Sequence, residues 1–171
     1  MKRSAWVVLS ALIAVAASAA DTPSETSVRY VKKIALPDNQ TAIVAEGDFE
    51  ARSIGSYTVR LYAAGAAQND TTLYESGLLL TRNGTIEDVR LADIDGDKHD
   101  EIIVIVRSAG TGGYLSAQAL SFANGRIEAR TKVENLPADA DPVAALDKTQ
   151  RSDKVLKKGE YHHPSSGSRG A

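Results

Sequence analysis

A chain of 171 residues with no cysteine and a formal charge of −2 is long enough to build one hydrophobic core, and it must do so without disulfides or thiolate metal ligands. Without Lys2 and Arg3 the charge is −4. The segment from Asp147 onward holds six basic and three acidic residues, so Asp21 to Leu146 carries about −7. That acidity argues against nucleic acid as a partner and favours a neutral or cationic one through electrostatic steering.

Lys2 and Arg3 precede an apolar stretch from Ala5 to Ala17, and Ala17-Ser18-Ala19-Ala20 follows. A charged start, a short apolar run and a small-residue cleavage site predict a secretory signal peptide over 1–20, with the mature chain beginning near Asp21. The run is too short and too soon polar for a transmembrane helix, so no membrane partner is expected after cleavage. No cysteine follows the cleavage region, which excludes lipoprotein attachment. The expected compartment is the periplasm.

Asp21 to Thr26 reads as a polar leader. Val28 to Leu36 alternates in part and predicts a strand, Pro37-Asp38-Asn39-Gln40 a turn, and Thr41 to Glu46 the returning strand. Gly47 to Arg52 is irregular. From Gly55 to Tyr62 the alternation is clean, with Tyr57, Val59 and Leu61 on one face, which predicts a half-buried strand. Ala63 to Thr72 is a loop. Leu73–Arg82 and Thr85–Ile94 read as strands joined through Asn83-Gly84, and Asn124-Gly125 plays the same part between Tyr114–Ala123 and Arg126–Glu134. Asn-Gly between apolar runs predicts a two-residue hairpin.

Glu101 to Arg107 is a continuous β-branched run, the pattern of a strand buried on both faces. No helix-length amphipathic segment is evident after the signal peptide. About eight short strands with hairpin turns therefore predict an all-β fold, an antiparallel β-sandwich or barrel-like meander over 21–146. Beyond Asp147, Lys, Ser, Gly and His dominate, and 147–171 is expected to be a disordered tail. His162-His163 lies in that tail and is read as unstructured rather than as a metal site.

Two stretches carry candidate chemistry. Ser108-Ala109-Gly110-Thr111-Gly112-Gly113-Tyr114 separates two predicted core strands. Its three glycines allow positive φ and close approach by another surface. Thr111 and Tyr114 place hydroxyls around a Gly-Gly pair, a form suited to insertion into another molecule's cleft, although a plain glycine-rich hairpin turn would read the same way. The second stretch is Asp93 to Glu101, where Asp93, Asp95, Asp97 and Glu101 stand at positions one, three, five and nine, as in oxygen-rich calcium loops. It departs from the EF-hand, with Lys98 at the sixth position and Val104 at the twelfth. An ordinary Asp/Gly turn is the competing explanation, and the expected cofactor is none, with structural calcium as the alternative.

Enzyme motifs are lacking. His99 is the one histidine before the tail, and the chain has no Gly-x-Ser-x-Gly elbow, cysteine nucleophile or Gly-Lys-Ser/Thr phosphate loop. The chain is expected not to be an enzyme.

Four blocks in order resemble the periplasmic inhibitors of invertebrate-type (i-type) lysozyme. They are Val44 to Tyr57, Leu91 to Asp97, Arg107 to Ala117 and Ala138 to Leu146. The resemblance implies a β-sandwich-like exported domain, often a homodimer, whose partner is an i-type lysozyme. It implies that the family's Ser-Gly-x-Tyr inhibitory motif falls on Thr111-Gly112-Gly113-Tyr114, with Ser108 and Gly110 in the same loop. Thr111 at the usual Ser position keeps the hydroxyl but adds a methyl and restricts χ1. The alternative function is a calcium-stabilised envelope-binding module using the Asp93–Glu101 loop.

Overall fold

The computed structural model describes residues 28–160. The expected signal peptide and His162-His163 lie outside the described residues. Eight strands follow in order: β1 (Val31–Ala35), β2 (Thr41–Glu46), β3 (Gly55–Tyr62), β4 (Tyr74–Arg82), β5 (Thr85–Ala92), β6 (Glu101–Arg107), β7 (Leu115–Ala123) and β8 (Arg126–Leu136). They form two four-stranded antiparallel meanders, β1-β2-β3-β4 and β5-β6-β7-β8. The sheets pack as an open sandwich rather than a closed barrel. A short 3-10 turn at Pro37–Asn39 joins β1 to β2, with Pro supplying the fixed φ and Asn39 sitting at φ +58°.

The inter-sheet core follows from the period-two pattern. Tyr57, Val59 and Leu61 of β3 face Ile102, Val104 and Val106 of β6 within one buried cluster, with Val44, Ile86 and Leu120 around them. Each such side chain taken from water contributes roughly 1.5–3 kcal/mol. The alternate residues of β6, Ile103 and Ile105, are also fully buried, and lie on the opposite face with Leu115, Ala117 and Ala119.

That second face is covered by α1 (Pro142–Glu160). Leu146 is wholly buried among Ile103, Ile105 and Ile94, with Val143 packed beside it. Asp141 caps the helix, its Oδ1 accepting the backbone N–H of Val143 at 2.9 Å and of Ala144 at 3.4 Å, and Pro142 occupies the first turn. The expectation of a disordered tail from Asp147, and of a folded domain ending at Leu146, is therefore corrected over 147–160. Burying β6 on both faces requires a cover over the second sheet, and this helix is that cover.

One turn also differs from expectation. Asn124-Gly125 closes the β7–β8 hairpin with φ +51° and +71°, the left-handed pair a primed two-residue turn requires. Asn83-Gly84 does not close a hairpin: β4 and β5 belong to different sheets, and the dipeptide carries the chain across the sandwich. Gly84 adopts φ +123°, and a Cβ there would collide with the Arg107 carbonyl, so only glycine lets the crossover lie against the end of β6.

The crossover is tied down by a buried charge. Arg82 donates to the carbonyls of Arg52 (2.8 Å), Ala51 (3.0 Å), Ser56 (3.1 Å) and Gly84, and its Nε lies 3.9 Å from Glu46 Oε1. Glu46 Oε1 also accepts the Ile86 N–H at 2.7 Å, which stitches β2 to β5 across the two sheets. Burying two charges is tolerable only because nearly every donor finds an oxygen.

Candidate functional site

Register places the connections. Gly55 pairs with Arg82, Thr85 with Arg107 and Leu115 with Leu136, so these residues mark one end of the sandwich. The β2–β3 loop (47–54), the Asn83-Gly84 crossover and the β6–β7 loop (108–114) all emerge there. The acidic turn between β5 and β6 emerges at the opposite end, where Ala92 pairs with Glu101.

The 108–114 loop forms a finger. Its root is closed by the Ser108 N–H donating to the Tyr114 carbonyl at 2.8 Å, and its tip by the Gly113 N–H donating to the Gly110 carbonyl at 3.1 Å. Gly113 has φ +54°, a conformation that disfavours side chains. Gly110, Thr111 and Gly112 are exposed and Tyr114 is 52 % exposed, while Ser108 and Gly113 are half-buried. The Tyr114 ring lies back over Gly112, where a Cβ would meet its Cδ2 and Cε2 atoms. Ser108 differs from the tip: its hydroxyl is buried at the root with no hydrogen-bond partner among the described residues.

A strut from β5 steadies the finger. Arg107 donates from Nε and Nη2 to the two carboxylate oxygens of Glu87, the second bond being 2.8 Å, and from Nη1 to the Gly113 carbonyl at 2.8 Å. The ion pair raises the Arg107 pKa and fixes its planar fork. Glu87 owes its position to an irregularity in the β5–β6 register between Ile86 and Asp88. Glu87 is not marked by any local sequence pattern as part of the site, and Arg107 enters only as the first residue of the block Arg107 to Ala117.

The acidic turn is built differently. One carboxylate oxygen from each of Asp93, Asp95 and Asp97 lies within 4.8 Å of the others. Glu101 does not join them; it is buried, and its Oε2 accepts the Ile94 N–H at 3.1 Å. Burial raises the Glu101 pKa, with the neighbouring aspartates adding to the shift. Asp93 is exposed; a desolvation cost that would raise its pKa is outweighed by the N–H bonds it accepts from Asp95, Gly96 and Lys98 at 2.7–3.1 Å, and the pKa is lowered. Lys154 of α1 donates to the Asp95 carbonyl at 2.8 Å and lies 3.4 Å from its carboxylate. The turn is thus held by its own backbone and by a lysine, and of the four carboxylates named for the calcium alternative three converge.

Comparison with known proteins accords with this geometry. A profile of the family "Periplasmic lysozyme inhibitor of I-type lysozyme" matches residues 28–150. The crystal structure of such an inhibitor from Aeromonas hydrophila is 39 % identical at a TM-score of 0.65, covering 68 % of this chain and 98 % of that one. The structure of Aeromonas hydrophila PliI in complex with Meretrix lusoria lysozyme is 40 % identical at a TM-score of 0.64, covering 68 % of this chain and 94 % of that one. No curated protein sequence matches the chain. With both sheets, the covering helix as far as residue 150 and the finger inside the matched region, the chain belongs to the family of periplasmic inhibitors of I-type lysozyme.

Proposed function

We propose that this periplasmic inhibitor acts by inserting the finger tip, Thr111-Gly112-Gly113-Tyr114, into the active-site cleft of an i-type lysozyme and so protects peptidoglycan. Glycosidase clefts of this kind hold two carboxyl groups, one an acid and the other a nucleophile or electrostatic stabiliser. The Thr111 and Tyr114 hydroxyls are donors suited to those oxygens. Hydrogen bonds to a carboxylate shielded from water contribute roughly 1.5–3 kcal/mol each. Gly112 and Gly113 thin the finger, and the inserted segment contains no glycosidic bond to cleave. The mechanism requires no cofactor.

The observation that carries this reading is the finger's combination of exposure and restraint. Its tip stands free of the sandwich, while backbone bonds at the root and the Arg107 strut hold its shape. A preformed loop loses less conformational entropy on binding.

The test is inhibition of cell-wall lysis by i-type, chicken-type and goose-type lysozymes. Wild type is expected to inhibit the i-type enzyme selectively. Tyr114→Ala should weaken that inhibition more than Thr111→Ala, because the ring contributes area as well as a hydroxyl. Equal potency of Tyr114→Ala and wild type would reject the finger.

A further inference from the structure

The finger is too small to be the whole interface. A stable protein–protein contact of standard size takes about 800 Å² and roughly 20–30 residues from each partner. The finger has seven residues, from Ser108 to Tyr114. When a projection enters a cleft, the lips of the cleft come down on the surface around its base, so the remaining contact belongs to the same end of the sandwich.

That surface is continuous with the β2–β3 loop. One groove beside the finger is lined by Tyr114, Ser108, Asn135 and Asn83. A second groove shares Asn83 and extends to Ile54 and Gly55. Asn83 therefore bridges Tyr114 on one side and Ile54 on the other. Under this surface Arg82 binds the Ala51, Arg52 and Gly84 carbonyls, tying the β2–β3 loop to the crossover that rests on the root of the finger.

The loop is built to present apolar side chains outward. Glu50 turns inward, its carboxylate accepting the Ser56 N–H at 2.5 Å and the Ser56 hydroxyl at 2.6 Å, and Arg29 donates to its carbonyl. Phe49, next to it, is fully exposed and sits at φ +60°. Ile54 is 65 % exposed. A large aromatic in left-handed backbone with no intramolecular packing gives the free protein nothing in return for its strain. Rigid exposed aromatics are the side chains that anchor interfaces.

Resting on the finger reading above, we propose that the surface meeting lysozyme runs from Tyr114 across Asn83 to Ile54 and Phe49, and that Phe49 is a second anchor gripping the enzyme outside its catalytic cleft. The occupant is the lysozyme surface beside the cleft, because the grooves are continuous with the finger and the finger alone falls short in area.

The experiment measures Kd and dissociation rate against Meretrix lusoria lysozyme for Phe49→Asn, Ile54→Ser and Tyr114→Ala. Leu73→Ser, at an exposed position on the opposite end of the sandwich, is the control. Phe49→Asn is expected to raise Kd at least tenfold, mainly through faster dissociation, while Tm holds or rises, since Asn tolerates positive φ better than Phe. A purely structural role for Phe49 predicts the reverse, a lower Tm at unchanged Kd. Kd within twofold of wild type for both Phe49→Asn and Ile54→Ser overturns the proposal. If Tyr114→Ala still weakens binding in that case, the finger stands alone; if it does not, both readings fall. A change of oligomeric mass in Phe49→Asn, with lysozyme affinity per protomer unchanged, would assign the patch to a second copy of the chain and equally overturn it.

Discussion

Arg107→Lys separates what the strut does for binding from what it does for stability. Lysine keeps the positive charge, so electrostatic steering and the association rate should be preserved. It lacks the planar fork, and one ammonium cannot reproduce the two bonds to Glu87 together with the one to the Gly113 carbonyl. Both side chains of the pair are more than a third exposed, so solvent screening keeps the loss of folding stability small. The effect on binding is larger. Releasing one or two finger residues means that they must be ordered during association, at about 1–2 kcal/mol each before partial compensation. A net loss of about 1–3 kcal/mol corresponds to an affinity roughly 5- to 150-fold lower. Calorimetry against an i-type lysozyme reads the affinity, urea unfolding reads the stability, and amide exchange at Ser108 and Gly113 reads the loosening. Unchanged affinity alongside faster exchange at those amides would show that finger order does not limit binding, and the preorganisation argument would fail.

Two further substitutions test the scaffold. Arg82→Leu should cost about 3–5 kcal/mol in urea unfolding by stranding buried Glu46, and adding Glu46→Gln, which keeps an acceptor for the Ile86 N–H, should recover much of it; a single variant as stable as wild type would remove Arg82 from its supporting role. Leu146→Ala should cost about 2–5 kcal/mol in thermal unfolding by opening a cavity beside Ile103 and Ile105; a negligible change would mean that α1 does not seal the second sheet.

Strands were legible because their signals are local. Alternation in β3 and the β-branched run of β6 report which faces are buried, and the observed burial of Tyr57, Val59, Leu61 and Ile102 to Val106 follows them. The helix was less legible because only its first turns carry buried apolar contacts to the sheet. Val143 and Leu146 meet the sheet, whereas Val155 and Leu156 are exposed and blur the amphipathic period. Two signals did point to it: Asp141-Pro142 is an N-cap followed by a first-turn proline, and a β6 apolar on both faces requires a layer on each side. Asn83-Gly84 misled for a related reason. The dipeptide reports that the chain turns, but whether the next strand pairs locally or crosses to the other sheet depends on contacts made elsewhere, here Arg82 with Glu46 and Gly84 with Arg107.

The candidate site divides along the same line. Thr111, Gly112, Gly113 and Tyr114 are contiguous, so their chemistry can be read as a motif. What shapes them is not contiguous: Glu87 lies 20 residues before Arg107 and reaches it only through the β5–β6 register and its irregularity. Asp93, Asp95, Asp97 and Glu101 show the complementary case: their spacing suits a calcium loop or an Asp/Gly turn alike, while backbone geometry turns Glu101 inward to Ile94 and brings Lys154 to the Asp95 carboxylate. A motif names the groups available for contact, whereas register and burial decide which of them face outward. In this chain that selection favours the finger: its tip is exposed and braced by a strut, whereas the acidic turn spends much of its hydrogen-bonding capacity on its own backbone.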